Sequence, residues 1–424
     1  MRNVRRSLIF VAIVGMAFVQ FESRSQSKDS VLKSLDKHVI PISLNPEFIG
    51  GEHLPAGLVD RASIIGLGEA THGTHEFFEI KARLLQHLVE YSGVRVLITE
   101  SFFTNNELNS YVLHAVGNPY RAIFNMGYGF FYTEEMLALV EWVRLYNDRQ
   151  PEDMKVRMYG CDIPVPKFIT PPLYDFLATN NRLTATAEGT FQMLNKKTVQ
   201  GKFTRKEQES TRELLTKLDL LLAAKQGRET QWIGHHKRLL EQYLEMRVNP
   251  TKGLRDEYMA ENVLWIRAYE NDAKVMLWAH NGHISKDEKG ILSKPMGWYL
   301  KNELDGDYYA MGLGFGGGEF YAANLTKMKA EPVSAGEALV GSLDALFSEI
   351  GAEQFFLDMA IVGAEPDLKS LLGHSGLTKN IGESFNPDKA DGYYRKIALS
   401  DNYDGYMFIR STSPTKILSY DYLK

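Results

Sequence analysis

Short apolar runs along the chain alternate with longer segments whose apolar positions recur every three or four residues. The short runs, rich in β-branched residues, predict strands at residues 63–68, 94–100, 155–162, 274–280, 308–314 and 405–410. Two intervening segments, 74–92 and 133–147, place their apolar residues on one face at helical spacing. Strand–helix–strand alternation favours right-handed crossovers. We therefore predict an α/β fold with a mainly parallel central sheet flanked by helices.

The segment 166–272 has a different pattern. It is rich in Leu, Lys, Glu and Gln at helical spacing and contains no strand-like run. We predict that it is a large helical insertion between a first part of the α/β core at 26–165 and a second part at 273–424. Two interpretations stay open, since the charged helices fit either a solvated spacer or a cap that shapes a substrate cleft.

A glycine-dense stretch, "GLGFGGGEFYA" at 312–322, loosely matches the G-x-G-x-x-G pattern of dinucleotide-binding loops. A phosphate-binding loop leads into a crossover helix, whereas here "EFYAANL" resembles another strand. The stretch therefore predicts a β-turn, and we expect neither a nucleotide nor any other cofactor.

The amino terminus has the pattern of an export signal. Arg2, Arg5 and Arg6 precede the apolar run 7–21, and two serines follow shortly after. A basic start, a short apolar segment and small residues are typical of a secretory signal peptide, which we place at 1–25. We expect an exported, periplasmic protein without stable membrane insertion. An uncleaved amino-terminal anchor is the alternative, although the run is short of the ~20 residues that span a bilayer.

Charge and cysteine content narrow the classes of site. The net charge of the 424-residue chain is −5, which gives no indication of a nucleic-acid partner. Cys161 is the only cysteine, so an intramolecular disulfide and a thiolate zinc site within one chain are both excluded. Any metal ion would have to be held by histidines and carboxylates.

Ionisable residues stand at the carboxyl ends of four predicted strands. They are Glu69 and His72 after the first, Glu100 at the end of the second, Asp162 at the end of the third, and His280 with His283 after the fourth. Taken singly, each residue also fits a helix cap, a turn or a structural histidine. Carboxyl ends of parallel strands meet at one edge, where ligand crevices form. We therefore expect a shared site, in which the ring of His72 or His280 is the partner of Glu100.

Two familiar hydrolase motifs are absent from the sequence. No G-x-S-x-G occurs, and His75 is followed by Glu79 where a zinc helix would have its second histidine. His75 is therefore predicted to lie at the rim of the site as part of a helix. The remaining groups suit water activation, with His72 or His280 as general base, a carboxylate that orients the ring and a second group that stabilises the oxyanion. A metal-activated water also fits two histidines and two carboxylates.

Several stretches resemble the erythromycin esterase family. They are "GLGEATHGTHEFFEIKARLLQHLVE" (66–90), "LITES" (97–101), "YTEEMLALVEWVRLYN" (132–147), "YGCDI" (159–163), "RDEYMAENVLWI" (255–266) and "WAHNGHIS" (278–285). The resemblance spans roughly residues 60–315. It implies an α/β core with helical additions around a deep cleft, one side of which the insertion would form. It also implies metal-independent hydrolysis of the macrolactone ester of 14-membered macrolides, and hence resistance to these antibiotics.

The resemblance also assigns residues. The positions that match the active site of the family are Glu69, His72, Glu100, His280 and His283, together with Lys81, which stands where the family often has arginine. Arg255, Asp256 and Asn262 match a further motif that we interpret as structural. The aromatic stretch "FNMGYGFFYT" (124–133) either lines an apolar cleft or packs as a loop.

The functional prediction is thus an esterase whose partners are a macrolide and water. One alternative is a metal-dependent hydrolase of another ester that uses the same residues. The other is a non-catalytic envelope binding protein whose helical insertion docks a partner.

Overall fold

The computed structural model describes residues 28–42, 62–103, 106–198, 201–362 and 364–423. Its strands are β1 (Ile40–Pro41), β2 (Ile64–Leu67), β3 (Val94–Phe102), β4 (Arg157–Asp162), β5 (Lys274–Trp278), β6 (Tyr308–Asn324), β7 (Lys329–Ser334), β8 (Gln354–Asp358), β9 (Gly376–Lys379), β10 (Ser384–Phe385), β11 (Tyr394–Ile397) and β12 (Gly405–Thr412). The predicted signal peptide at 1–25 lies outside the described residues.

Helices cover the sheet on both sides. They are α1 (His75–Tyr91), α2 (Asn106–His114), α3 (Pro119–Phe124), α4 (Glu134–Asn147), α5 (Pro166–Thr179), α6 (Ala185–Leu194), α7 (Arg205–Leu222), α8 (Arg228–Val248), α9 (Leu254–Tyr269), α10 (Asn281–Ile284), α11 (Met296–Leu304), α12 (Leu343–Phe347), α13 (Met359–Val362), α14 (Pro366–Gly373) and α15 (Leu399–Asn402). In the part of the chain that the structure describes, no helix is both long and apolar enough to cross a membrane.

The main sheet has the strand order β1-β8-β12-β6-β2-β5-β3-β4, and β7 and β10 also pair with β6. Neighbours from β12 to β4 are all parallel, while β8 and β1 pair antiparallel at one edge. The predicted α/β class with a mainly parallel sheet is therefore confirmed. The strand β2 explains the sequence signal, because all four of its residues are buried, as expected where both faces of a parallel strand are covered.

Residues alternate between two hydrophobic clusters, one on each face of the sheet. Ile65 and Leu67 of β2 pack with α1 and α4 on one face, while Ile64 packs with α5, α8 and α9 on the other. The segment 166–272 forms α5 to α9, and its described residues contain no strand. These helices cover one face of the sheet and share its core. The division of the chain at 166–272 stays a prediction.

The glycine-dense stretch is where the sequence prediction was wrong. Instead of a β-turn it is the middle of β6, a single strand of 17 residues. Its glycines make room for tyrosines of the neighbouring strand and loop: a Cβ on Gly314 would lie 2.0 Å from the hydroxyl of Tyr406. A Cβ on Gly312 would likewise lie 2.9 Å from the ring of Tyr403. The glycines are thus needed for close packing inside a strand. In a sequence, such a run of glycines resembles a turn.

Candidate active site

The strands whose ends bear ionisable residues, β2, β5, β3 and β4, are consecutive neighbours in the sheet. Their carboxyl ends therefore form one continuous edge. Glu69 and His72 follow β2, and His280 follows β5. Glu100 lies inside β3 rather than at its end, just where the register with β4 shifts. Asp162 is the last residue of β4.

The turn between β2 and α1 is held tightly against the rest of the molecule. The carbonyl of Glu69 accepts a hydrogen bond from the amide of Asn281 at 2.9 Å. Gly73 packs so closely that a Cβ there would lie 1.9 Å from the carbonyl oxygen of Tyr321. Tyr321 in turn donates its amide to the carbonyl of Gly73 at 2.8 Å. The turn that presents Glu69 and His72 is thus fixed by backbone contacts from distant parts of the chain.

Glu69 is the buried centre of a hydrogen-bonded group. One carboxylate oxygen lies 2.7 Å from Nδ1 of His72. The other accepts from Nζ of Lys81 at 2.6 Å and from Nε1 of Trp278 at 3.0 Å. Lys81 is wholly buried and lies over the indole ring, 4.5 Å from its centroid. Lys81 is therefore a counter-ion behind Glu69, and it does not line the cavity described below.

This arrangement keeps Glu69 ionised. Burial alone would raise the pKa of Glu69, but the charge of Lys81 and the hydrogen bond with His72 outweigh it and lower that pKa. Burial lowers the pKa of Lys81 to about 8 against the attraction of Glu69. At neutral pH the lysine is mostly protonated and the carboxylate charged, so His72 has an anionic partner at Nδ1.

The ring of His72 is enclosed by two other rings. It stacks on Phe130 with centroids 4.2 Å apart and planes 11° from parallel. The ring of His280 lies 5.1 Å away at 50°. Since Glu69 holds Nδ1, proton transfer by His72 has to use Nε2, on the other side of the ring.

His280 is held as a neutral imidazole. It is the N-cap of α10, and its Nδ1 accepts a hydrogen bond from the amide of Gly282 at 3.2 Å. Burial, with a contribution from the charge of His72, lowers the pKa of His280 to about 3. Because Nδ1 is an acceptor, the proton of the neutral ring is on Nε2. Within the described residues, Nε2 is buried and has no hydrogen-bond partner.

His283 has the opposite character. Its Nδ1 lies 2.7 Å from Asp256, and its Nε2 lies 3.1 Å from Glu100. Burial opposes protonation, but the two carboxylates raise the pKa of His283 to about 10. Its imidazolium and the nearby charge of Arg255 hold the pKa of Glu100 well below its usual range despite burial. His283 is therefore a fixed cation rather than a base.

Glu100 takes partners other than those expected from the sequence. We predicted the ring of His72 or His280, but Glu100 binds His283 at one oxygen and the backbone amide of His280 at the other, at 2.9 Å. Arg255 also donates to Glu100 at 3.0 Å. The ring prediction was wrong because side-chain direction at a strand end cannot be obtained from sequence position.

Arg255 connects the carboxylates of two strands. Its guanidinium donates to both oxygens of Asp162, with distances of 2.7–3.1 Å, and lies 3.2 Å from Nε2 of His283. Tyr128 donates its hydroxyl to Asp162. Arg255 and Asp256, interpreted as structural from the sequence, thus contact site residues directly. Asn262 fits the structural interpretation, since it is buried and donates to the carbonyl of Cys161 at 2.9 Å.

A cavity of about 430 Å³ opens onto these groups. Four of the predicted residues line it: His72, Glu100, His280 and His283. The aromatic stretch contributes Tyr128 and Phe130, in accordance with the cleft-lining interpretation, and α9 contributes Arg255. Two further walls of the cavity were not predicted from the sequence. Ile291 and Leu292 form one, and residues 380–383 form the other.

His75 lies apart from this set. Its Nδ1 is 2.7 Å from Glu135, and its Nε2 is 3.8 Å from Glu79. The hydrogen bond with Glu135 raises the pKa of His75 despite partial burial. His75 is not among the residues that line the cavity.

In the described part of the chain, no group of three or more His, Cys, Asp or Glu residues has the arrangement of a metal site. The ionisable groups of the site are paired with one another or with neighbouring donors. Both oxygens of Glu69 and of Glu100 and both ring nitrogens of His283 are already in hydrogen bonds or ion pairs. Only the Nε2 atoms of His72 and His280 lack a described partner in this set.

Comparison with known proteins agrees with this architecture. The erythromycin esterase family model matches residues 89–412, a range that includes Glu100, His280 and His283. Erythromycin esterase type II of Escherichia coli is 26% identical over 430 residues, covering 90% of this chain and 98% of that protein. The similarity to this relative therefore extends over most of the chain.

Solved structures share the fold. A Bacillus cereus protein of 26% identity superposes with a TM-score of 0.81, covering 92% of this chain and 99% of that one. A mutant of the erythromycin esterase EreC, in its open conformation, superposes with a TM-score of 0.69 at 17% identity, covering 90% of this chain and 99% of that one. Since the family model matches more than half of the sequence, the chain belongs to the erythromycin esterase family, and this membership supports the conclusion that the protein is a hydrolase.

Proposed function

We propose that the protein hydrolyses an ester by direct attack of a water molecule that His72 activates, and that a macrolactone of the erythromycin type is its substrate. The observation that supports this most strongly is the difference between two neighbouring histidines. His72 has an anionic partner, Glu69, at Nδ1, whereas His280 is a buried neutral ring whose Nε2 has no partner among the described residues.

The two rings then have different tasks. Nε2 of His72 takes a proton from water as the water oxygen attacks the ester carbonyl, and Glu69 stabilises the imidazolium that forms. The Nε2–H of His280 donates to the carbonyl oxygen as it becomes negative. When the tetrahedral intermediate collapses, the imidazolium of His72 returns the proton to the departing alkoxide. Water has added across the ester, giving an acid and an alcohol.

His280 is the weaker candidate for the base. A general base is most effective when its pKa is near the working pH, whereas burial lowers the pKa of His280 to about 3. A neutral imidazole that polarises a carbonyl has a precedent in enzyme chemistry. The pair His72 and His280, with centroids 5.1 Å apart, is close enough to act on one ester group.

The experiment is to incubate the purified protein with erythromycin and with simple esters and to follow the mass of each product. Hydrolysis adds one water, ~18 Da. We expect His72→Ala to lower kcat/KM by about 10³-fold or more, a factor in the range of general base catalysis. His75→Ala is the matched control, because this histidine is three residues away and outside the cavity. Full activity in His72→Ala would remove the proposed mechanism.

The substrate is tested separately from the mechanism. The macrolide proposal rests on family membership and on the aromatic wall of the cavity at Tyr128 and Phe130. Turnover of simple esters but of no 14-, 15- or 16-membered macrolide would remove macrolide hydrolysis and the resistance role, and would leave the esterase chemistry intact.

Two alternatives have their own tests. A metal-dependent hydrolase would lose activity on chelation and regain it with Zn²⁺ or Mn²⁺; activity that survives chelation excludes it. A binding protein would retain ligands without turnover across the ester panel.

We also propose that the protein is exported, on the pattern of residues 1–25. Fractionation of cells that express the full chain tests it, with loss of periplasmic protein expected when the apolar run is deleted.

A further inference from the structure

Two aromatic side chains connect the candidate base with the charged cluster around Asp162. The ring of Phe130 stacks on His72, with centroids 4.2 Å apart and planes at 11°. The ring of Tyr128 in turn stacks on Phe130, with centroids 5.3 Å apart and planes at 12°. The three nearly parallel rings form a column, which we name the aromatic column (Tyr128, Phe130 and His72).

The column is anchored at its far end by charge. The hydroxyl of Tyr128 donates to Asp162. Asp162 also accepts from Arg255, which lies within 3.5 Å of the Tyr128 hydroxyl. Burial and the charge of Asp162 raise the pKa of Tyr128, so its hydroxyl remains a donor throughout the neutral range. The position of the tyrosine ring is therefore fixed from the β4 side of the cavity.

The backbone between the rings is also fixed. Residues Gly129–Phe131 form a 3₁₀ turn that begins after Tyr128, with a hydrogen bond from the amide of Phe131 to the carbonyl of Tyr128 at 3.1 Å. Phe131 is buried and packs edge-on against Phe78 and Trp278. Phe130 is only half-buried and lines the cavity. A buried neighbour thus fixes the turn, while Phe130 turns its ring to His72.

We propose that Phe130 is a positioning residue for His72, and that Tyr128, tied to Asp162, holds Phe130 in place. Glu69 holds the ring of His72 by a single hydrogen bond, at Nδ1, which by itself leaves freedom in the two side-chain torsions, χ1 and χ2. A parallel ring at van der Waals distance removes this freedom. Its negative π face also stabilises the imidazolium that forms when His72 takes a proton from water.

This inference rests on the proposed role of His72, but it has a test that needs no substrate. In a ¹H–¹³C spectrum of protein with labelled histidine, the His72 signal is assigned by its absence from His72→Ala. In the wild-type protein, the ring current of Phe130 shifts this signal upfield. Phe130→Leu removes the ring, so we expect the signal to move downfield, while Phe130→Trp keeps it upfield. Unchanged position in Phe130→Leu would overturn the stacked geometry.

The kinetic test separates positioning from simple contact with the substrate. For Phe130→Leu we expect kcat to fall about tenfold with a smaller change in KM, and the acidic limb of the kcat/KM profile to move to lower pH by about half a unit. Phe130→Trp should restore both. A change confined to KM, or equal losses in the Leu and Trp variants, would make Phe130 a wall of the cavity and nothing more.

Two further variants test the anchor and the specificity of the effect. Tyr128→Phe keeps the ring but loses the hydroxyl, so we expect it to move kcat and the His72 signal in the same direction as Phe130→Leu, by less. No movement of either would remove the anchoring role of Tyr128. Phe124→Leu is the matched control on the same segment, since this residue is 47% exposed and its ring contacts Tyr132 and Tyr420 instead. If wild type hydrolyses no ester, the proposed function fails while the spectra still decide the geometry.

Discussion

Replacing Lys81 by methionine should destabilise the fold strongly and should do so through Glu69. Lys81 is wholly buried and donates to Glu69 at 2.6 Å. Methionine has a similar length and can still lie along Trp278, so lost packing is small. What remains is a buried carboxylate without its cation. Breaking a buried pair in this way costs about 3–5 kcal/mol, a large part of the ~5–15 kcal/mol that stabilises an ordinary domain.

The assay is urea unfolding of Lys81→Met, Glu69→Gln and the double variant, each measured together with kcat/KM. The double variant removes both charges and leaves a neutral amide that Trp278 can still bond. We expect it to regain most of the stability that Lys81→Met loses. Activity should stay low, because a neutral amide in place of the Glu69 carboxylate cannot stabilise an imidazolium at His72. The control is Lys301→Met, since this lysine is exposed on α11.

Two results would refute this reasoning. If Lys81→Met is as stable as the wild type, the ion pair between Lys81 and Glu69 does not contribute to the free energy of unfolding. If the double variant is no more stable than Lys81→Met, the loss came from packing around the lysine and the coupling with Glu69 is negligible.

Further predictions concern pH and the close-packed turn. Burial lowers the pKa of Lys81 to about 8, so kcat/KM should fall as pH rises through about 8, and this limb should vanish in Lys81→Arg; a limb that persists belongs to another group. The carboxylates around His283 raise its pKa to about 10, from 6.5, so its stabilising effect is complete below about pH 6.5 and is lost towards pH 10. Unfolding free energies across this range should fall by up to about 1.4 kcal/mol per pH unit more steeply in the wild type than in His283→Gln, and equal slopes would contradict the assignment. Gly73→Ala should lower the free energy of unfolding by about 1–3 kcal/mol or more and lower activity, since its Cβ would lie 1.9 Å from the carbonyl oxygen of Tyr321. Gly189→Ala, in open space on α6, is the control and should leave stability unchanged or raise it. Equal unfolding midpoints of the two variants would disprove the clash.

Much of the architecture was accessible from the sequence, because its main signals are local. Buried parallel strands are continuous apolar runs, so β2, β3, β4, β5 and β12 were found close to their observed positions. The antiparallel strand β8, which lies between β12 and the edge strand β1, was not found. The length of β6 was misjudged, because its glycines look like a turn unless the tyrosines packed against them are known.

The candidate site, too, could be predicted from the sequence only in part. The sequence by itself was enough to predict that Glu69, His72, Glu100 and His280 meet, since the carboxyl ends of parallel strands lie at one edge of a sheet, but it did not show that Arg255 and Asp256 join them. It did not determine their protonation, which depends on burial and on partners distant in the chain.

Only the tertiary structure decided which histidine is which. Asp256 and Glu100 surround His283 and hold it charged, whereas a backbone amide and burial hold His280 neutral. Arg255 joins Asp162 and Glu100 from a helix about 93 and 155 residues away in sequence. The physical reason is that periodicity records which side chains are buried, while the direction of a side chain and the charge beside it exist only once the strands and helices have packed.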